Sequence, residues 1–253
     1  MNCLSFLNGL LTFFKGFFYY LFLNSNKSAL NYKRESNTFS FSSIRPHIYD
    51  STNCTGFSKH YIYHINWAIR KIHAIKPTTV CDFGSSLYYI TSITSLCKVI
   101  FFDIRPPNLL LDHLYTHKCD IVDVSHIPYE SFSFISCLHV LEHIGIGRYG
   151  DPLNKNGDLI ASKNITNLLQ HNGDLLIVVP IASKARLSYN ANRIYSFEEV
   201  TNQLFPSLEL ISFSLITDED FSGIPFTEDT LSSLQLLPSQ NHACGCFHFK
   251  KLQ

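Results

Sequence analysis

The chemistry-bearing residues of this chain cluster in four places. Val80-Cys81-Asp82-Phe83-Gly84-Ser85-Ser86 is an apolar run that breaks at a glycine, and Val99-Ile100-Phe101-Phe102-Asp103 is a second run that closes on an acid. In a βαβ unit such a glycine lets a nucleoside approach the backbone, and the acid accepts hydrogen bonds from ribose hydroxyls. The third cluster runs from Ser136 to Pro152 and sets His139, Glu142 and His143 ahead of Gly145, Gly147, Arg148, Tyr149, Gly150 and Asp151. Its glycines supply hinges, and Arg148 with Tyr149 between them has the make-up of a lid that holds a carboxylate, phosphate or sugar hydroxyl. Tyr189, Asn190, Asn192 and Arg193 form a second polar loop further on.

Two patterns raise the question of a metal. His139-x-x-Glu142-His143 fits the H-x-x-E-H arrangement, which needs both histidines on one helical face. Here a predicted strand, Phe132 to Leu138, ends at His139, so the rings need not converge. A zinc hydrolase acting through His139 and His143 is therefore a remote alternative. His242-x-Cys244-x-Cys246-x-His248 places four side chains on one face of a strand. Such a row is too spread out to surround one ion, and packing against the core is the favoured reading. No metal is expected.

The elements that must carry these residues follow from periodicity. Ile62, Ile65, Ile69, Ile72 and Ile75 recur at helical spacing before Pro77 and predict a helix covering the sheet. Strands are predicted at Thr79 to Phe83, Lys98 to Ile104, around His117 to Val122, and at Phe132 to Leu138. Ala161, Ile165, Leu168 and Leu169 make one helical face ending at His171-Asn172-Gly173. Leu175 to Val179 is apolar on both faces, as a central parallel strand should be. Ser196-Phe197-Glu198-Glu199 is a capping box opening another helix. Leu208 to Ile216 and Cys244 to Leu252 predict two final strands, paired antiparallel at one edge.

With the elements in place, Asp82-x-Gly84, Asp103, Asp123-Val124-Ser125-His126-Ile127-Pro128, the string from His139 to His143 and the strand after Asn172-Gly173-Asp174 together resemble the class I S-adenosylmethionine-dependent methyltransferases. The longer string from His139 to Pro152 is similar to a poorly characterised branch of that superfamily, often described only as a domain of unknown function. The resemblance covers roughly Lys59 to Ile216. It implies an α/β fold, a Rossmann-like seven-stranded sheet that is mostly parallel with an antiparallel C-terminal edge pair, and helices on both faces. It also implies S-adenosylmethionine as cofactor. By the same resemblance Asp82, Gly84 and Ser85 border the methionine part, Asp103 with Ile104 the ribose, and Asp123 with Val124 the adenine, with Asp120 competing for that role. His139 completes the implied cofactor contacts.

Where many members carry several glycines, this chain has Gly84-Ser85-Ser86-Leu87-Tyr88. The bulkier residues leave less room for the carboxypropyl tail, while Ser85 and Ser86 offer hydroxyls and amides to its carboxylate. Methyl transfer from a sulfonium asks the protein to hold the acceptor in line and, for a hydroxyl, to remove its proton. His143, with an ordinary pKa near 6.5, is the first candidate base and Asp151 the second, with Arg148 beside them. The implied acceptor is a small or glycan-type molecule methylated on oxygen. The alternative from another class is a non-catalytic methyltransferase-like module that binds at a membrane surface.

Composition sets the remaining bounds. Lys plus Arg and Asp plus Glu are 20 each in 253 residues, so the net charge is zero and nucleic acid is a poor partner. The eight cysteines include several inside predicted strands, which reads as a reducing compartment without a disulfide framework. Leu4 to Leu23 is strongly apolar with a narrow polar stripe, lacks signal-peptide features, and predicts an uncleaved helix with three options: a peripheral membrane contact through residues 4–23, docking on the domain, or spanning a membrane. The expected organisation is an apolar helix at 1–24, a linker at 25–57 and a methyltransferase-like domain at 58–253. The expected location is cytoplasmic, at the inner face of the membrane. Oligomeric state is not legible.

Overall fold

The computed structural model describes residues 13–18, 21 and 53–252. The chain divides into two units, residues 1–56 and 57–253. In the first, residues 13–18 are helical; the rest of the expected apolar helix and the linker after it lie outside the described residues. Among the described residues no helix is long and apolar enough to cross a membrane.

The second unit is built on an eight-stranded sheet in the order β3-β2-β1-β4-β5-β10-β8-β9. Its strands are β1 (Thr79–Phe83), β2 (Lys98–Asp103), β3 (Leu114–Lys118), β4 (Phe132–Leu138), β5 (Leu169–Ile181), β8 (Glu209–Ile216), β9 (Phe226–Thr227) and β10 (Ala243–Lys250). Strands β1 to β5 pair in parallel, whereas β10 is antiparallel to both β5 and β8. The final strand is thus the inner member of the C-terminal pair, inserted beside the most buried strand. The two-residue β9 raises the expected seven strands to eight. A separate hairpin, β6 (Arg186–Ser188) with β7 (Asn192–Ile194), follows β5.

Alternation along the strands gives the sheet two buried faces. Val80, Phe134, Leu176, Val178, Cys244 and Cys246 pack with Trp67, Ala68 and Ile72 of α1 (Lys59–Ile75) and with Tyr89, Ile90 and Ile93 of α2 (Leu87–Ile93). Cys81, Ile135, Leu175, Ile177, Val179, Phe213 and Phe247 pack on the other face with Ala161, Ile165 and Leu168 of α3 (Gly157–Leu168). Val200, Leu204 and Phe205, which follow the short α4 (Phe197–Glu199), close that layer. The capping box at Ser196 forms in full: its hydroxyl accepts from Glu199 N, and the Glu199 carboxylate accepts from Ser196 N.

Two expected boundaries move. β3 lies at Leu114–Lys118 rather than around His117 to Val122. As a mostly exposed edge strand it carries Tyr115, His117 and Lys118 on its surface, so its apolar signal is weak. The apolar Ile121 and Val122 instead belong to a turn closed by an Asp120–Asp123 bridge. Helix α3 passes straight into β5 at Leu169, and the left-handed residue Asn172 (φ 60°) sits within that strand, its N–H bonded to the Lys251 carbonyl.

Candidate active site

A cleft of about 280 Å³ opens at the carboxyl ends of β1, β2 and β4. Its walls are Phe83, Gly84, Phe102, Asp103, Ile104, Arg105, the stretch Cys119 to Val122, and His139, Val140, His143, Ile144, Gly145, Tyr149, Asp151, Pro152 and Asn154. Ligands in open α/β sheets enter at this rim, where successive loops diverge.

Gly84 is left-handed (φ +67°), and a Cβ there would lie 3.3 Å from both Val140 methyls and 3.8 Å from Asp103 Oδ2. The turn therefore needs glycine both for its backbone and to keep the space between β1 and β4 free. Asp103 Oδ1 accepts from Arg105 N at 2.6 Å, while Oδ2 faces the Gly84 turn. Gly84, Asp103, Ile104 and His139 are brought together as the sequence implies.

Asp82 and Ser85 are not cleft residues. Asp82 is fully buried and accepts from Ser85 N (3.0 Å), Ser85 Oγ (2.7 Å) and Ser136 Oγ. Ser85 Oγ in turn accepts from Leu138 N at 2.9 Å. This network ties the turn after β1 to β4 from below, so both residues shape the cleft without lining it. Burial raises the Asp82 carboxyl to about 7, against the opposing pull of its hydrogen bonds from Ser136 and Ser85. The Ser86 hydroxyl caps α2 by accepting from Tyr89 N, and Leu87 and Tyr88 are exposed on that helix, outside the cleft walls. The crowding expected from these two side chains does not arise.

Asp123 and Val124 are also displaced from their implied role. Asp123 is exposed and its Oδ1 accepts from Ser125 N and Oγ, a local turn; Val124 is buried in the core. Asp120, Ile121 and Val122 occupy the wall instead, with Asp120 Oδ1 accepting from Val122 N at 3.0 Å. The competing acid holds the position because the Asp120–Asp123 bridge turns the second carboxylate outward.

The loop after β4 divides its functional groups. His143 lines the cleft; its Nδ1 lies 2.9 Å from the Ala191 carbonyl and 3.2 Å from Arg148 Nη1, which can only donate. Burial lowers its pKa, partly offset by Glu142, whose Oε1 is 3.7 Å from Nε2. Asp151 borders the cleft but its carboxylate is taken by the amides of Gly145 (2.8 Å), Tyr149 (3.2 Å) and Gly147 (3.3 Å). It staples the loop and has no free oxygen for a base's work; burial would raise its pKa, but these amides hold it below the ordinary value. Arg148 does not reach the cleft wall. It donates to the Ala191 carbonyl at 2.6 Å and lies 5.3 Å from the Tyr149 ring centre. Arg105 lies 4.7 Å from the same ring, so Tyr149 covers the cleft between two guanidinium groups. Of the second polar loop, Arg193 pairs with Asp158 at 3.3 Å and donates to the Ile144 carbonyl, which fixes the loop after β4 from outside.

His139 and His143 do not form the H-x-x-E-H metal pair. Leu141–His143 is a single 3₁₀ turn, and the two rings flank Glu142 rather than converge. Arg105 and Asn154 are cleft residues that nothing in the sequence singles out. Of the expected lid pair, Tyr149 lines the cleft and Arg148 does not.

Solved structures share this architecture. The 1,6-didemethyltoxoflavin-N1-methyltransferase of Burkholderia thailandensis, crystallised with 1,6-didemethyltoxoflavin and S-adenosylhomocysteine, is similar at a TM-score of 0.54 and 14% identity over 75% of this chain and 79% of that one. The N-methyltransferase NodS of Bradyrhizobium japonicum WM9, in complex with S-adenosylhomocysteine, is similar at 0.53 and 12% over 77% and 88%. No curated protein matches the chain. The sheet order, the antiparallel insertion of β10 and the position of the cleft define a class I methyltransferase fold. Within that fold the chain belongs to the family described as Caenorhabditis protein of unknown function, DUF268, which matches residues 112–238.

Proposed function

We propose that the protein is an S-adenosylmethionine-dependent methyltransferase acting on an oxygen of a small or glycan-type acceptor. The observation that supports the reading best is the side-chain-free space at Gly84 with Asp103 Oδ2 facing it, inside a cleft otherwise walled by Phe102, Ile104, Ile121 and Val122. Those residues fit a nucleoside: apolar walls for a base, a carboxylate for sugar hydroxyls, and a bare backbone turn beside it. When bound, the cofactor supplies an activated methyl group. The chain's own work is to hold the acceptor, which falls to the Tyr149 lid, and to take its proton, which falls to the His143 imidazole. The peripheral membrane contact through residues 4–23 rests on the sequence pattern alone and belongs to this reading as a site of action.

Titration calorimetry tests the proposal. S-adenosylhomocysteine should bind in the micromolar range, about −8 kcal/mol, and Asp103→Ala should remove the heat while leaving the melting transition in place. No binding at millimolar concentration would leave the non-catalytic module as the better description.

A further inference from the structure

Three side chains from separate elements meet at the rim of the sheet, on the side covered by α1. His64 lies within α1, His139 directly follows β4, and Cys244 is the second residue of β10. Each brings one potential donor atom within 4.8 Å of the other two, and His139 Nε2 lies 3.3 Å from Cys244 Sγ. The other ring nitrogens are already engaged. His64 Nδ1 donates to the His60 carbonyl at 2.7 Å, and His139 Nδ1 meets Glu142 Oε1 at 2.9 Å. The His64 ring is thereby held in the tautomer that leaves Nε2 unprotonated, and the His139 ring turns its Nε2 toward Cys244 Sγ. A main-chain carbonyl behind one imidazole and a carboxylate behind the other are the supports that metal-ligating histidines use.

Glu142 adds an independent observation. It is 1% exposed, and among the described residues its Oε2 has no hydrogen-bond partner. Its other oxygen, Oε1, is 2.9 Å from His139 Nδ1 and 3.7 Å from His143 Nε2, so the acid stands directly behind the His139 ring.

We propose that His64, His139 and Cys244 bind a divalent transition metal of the zinc type, leaving a fourth coordination position for water or an exogenous ligand. Zinc takes nitrogen and sulfur donors in a tetrahedral arrangement whose donor atoms lie about 3.3–3.6 Å apart. The His139–Cys244 pair already has that spacing, and a donor atom of His64 lies within 4.8 Å of both. On binding, the Cys244 thiol proton passes to solvent and the thiolate becomes the ligand. The site stands on side-chain geometry and does not rest on the methyltransferase reading.

The experiment loads the full chain with zinc, dialyses it and measures metal content, then repeats the loading with cobalt(II). The expected result is about one metal per chain and a cobalt derivative showing thiolate-to-metal charge transfer in the near ultraviolet. Cys244→Ser should abolish the band, and His64→Ala should weaken zinc binding about tenfold or more. Cys246→Ser, on the same strand face, should keep both. Circular dichroism on each variant separates loss of a ligand from loss of the fold, and His64→Ala carries the test if Cys244→Ser does not fold. Negligible zinc retention by the wild-type chain, or an unaltered cobalt spectrum in folded Cys244→Ser, overturns the site. S-adenosylhomocysteine calorimetry on the same samples reports on the methyltransferase reading separately.

Discussion

Asp82 carries the most displaced acidity of the carboxylates around the cleft, and its linkage to folding has a definite sign. Its folded pKa is about 7 against an ordinary 3.8. Below about pH 4 both states are protonated; between about 4 and 7 only the folded state keeps the proton, so stability falls as pH rises through that window and levels off above it. Asp82→Asn removes this component. Urea midpoints taken from pH 4 to 8 should show the variant gaining on the wild type as pH rises, and parallel curves would contradict the assignment. His143 is the complementary case. Burial lowers its pKa, so at neutral pH the ring is uncharged and able to accept a proton. Once an acceptor is in hand, His143→Ala should cut turnover about 10²–10⁴-fold with S-adenosylhomocysteine affinity unchanged. A matching loss of affinity would reassign the residue to cofactor binding.

At the scale of elements, the loop from Leu141 to Asn154 is a unit gathered on the Asp151 carboxylate from within and tied by Arg193 from outside. A Cβ on Gly145 would sit 2.1 Å from the Asn154 carbonyl oxygen, and its amide with those of Gly147 and Tyr149 ends on Asp151. Asp151→Ala leaves those three amides without an acceptor, at a cost of about 1–3 kcal/mol for each that water cannot reach. Hydrogen exchange should then quicken across residues 143–152 while β4 and β5 stay protected; unchanged protection would mean the loop is held elsewhere. The sequence announced most of the elements for local reasons: the Ile65, Ile69 and Ile72 spacing in α1, the Val80 to Phe83 run before Gly84, and the capping pair Ser196 and Glu199. It misplaced β3, whose pairing with β2 is a tertiary fact that Tyr115, His117 and Lys118 do not advertise. The choice between Asp120 and Asp123 rests separately on the spacing from Asp123 to Pro128 that the resemblance favours, whereas the turn after β3 puts Asp120 in the cleft wall. His139 and Cys244 fell in two separate patterns that raised a metal and His64 in none, since only the stacking of α1 and β10 against the end of β4 joins the three.

For the whole molecule, the family match and the fold do not coincide, and the difference is instructive. Residues 112–238 hold β3 to α5 (Thr230–Leu236), including the loop after β4, but not Gly84, Asp103, α1 or β10. β10 is an interior strand: it pairs with β5 from Ala243 to Lys250 and with β8 from Cys244 to Lys250. Phe247 and Phe249 enter one face of the core and Cys244 and Cys246 the other. The two phenylalanines alone contribute about 1.5–3 kcal/mol each, and removal of the strand would also expose the facing edges of β5 and β8. Together these losses rival the about 5–15 kcal/mol by which a domain is stable. A chain ending at residue 241 should therefore lose its cooperative melting transition and bind a hydrophobic dye, although it retains every cleft residue and the whole family-matched region. A cooperative melt near that of the full chain would mean that β5 and β8 close the sheet without β10.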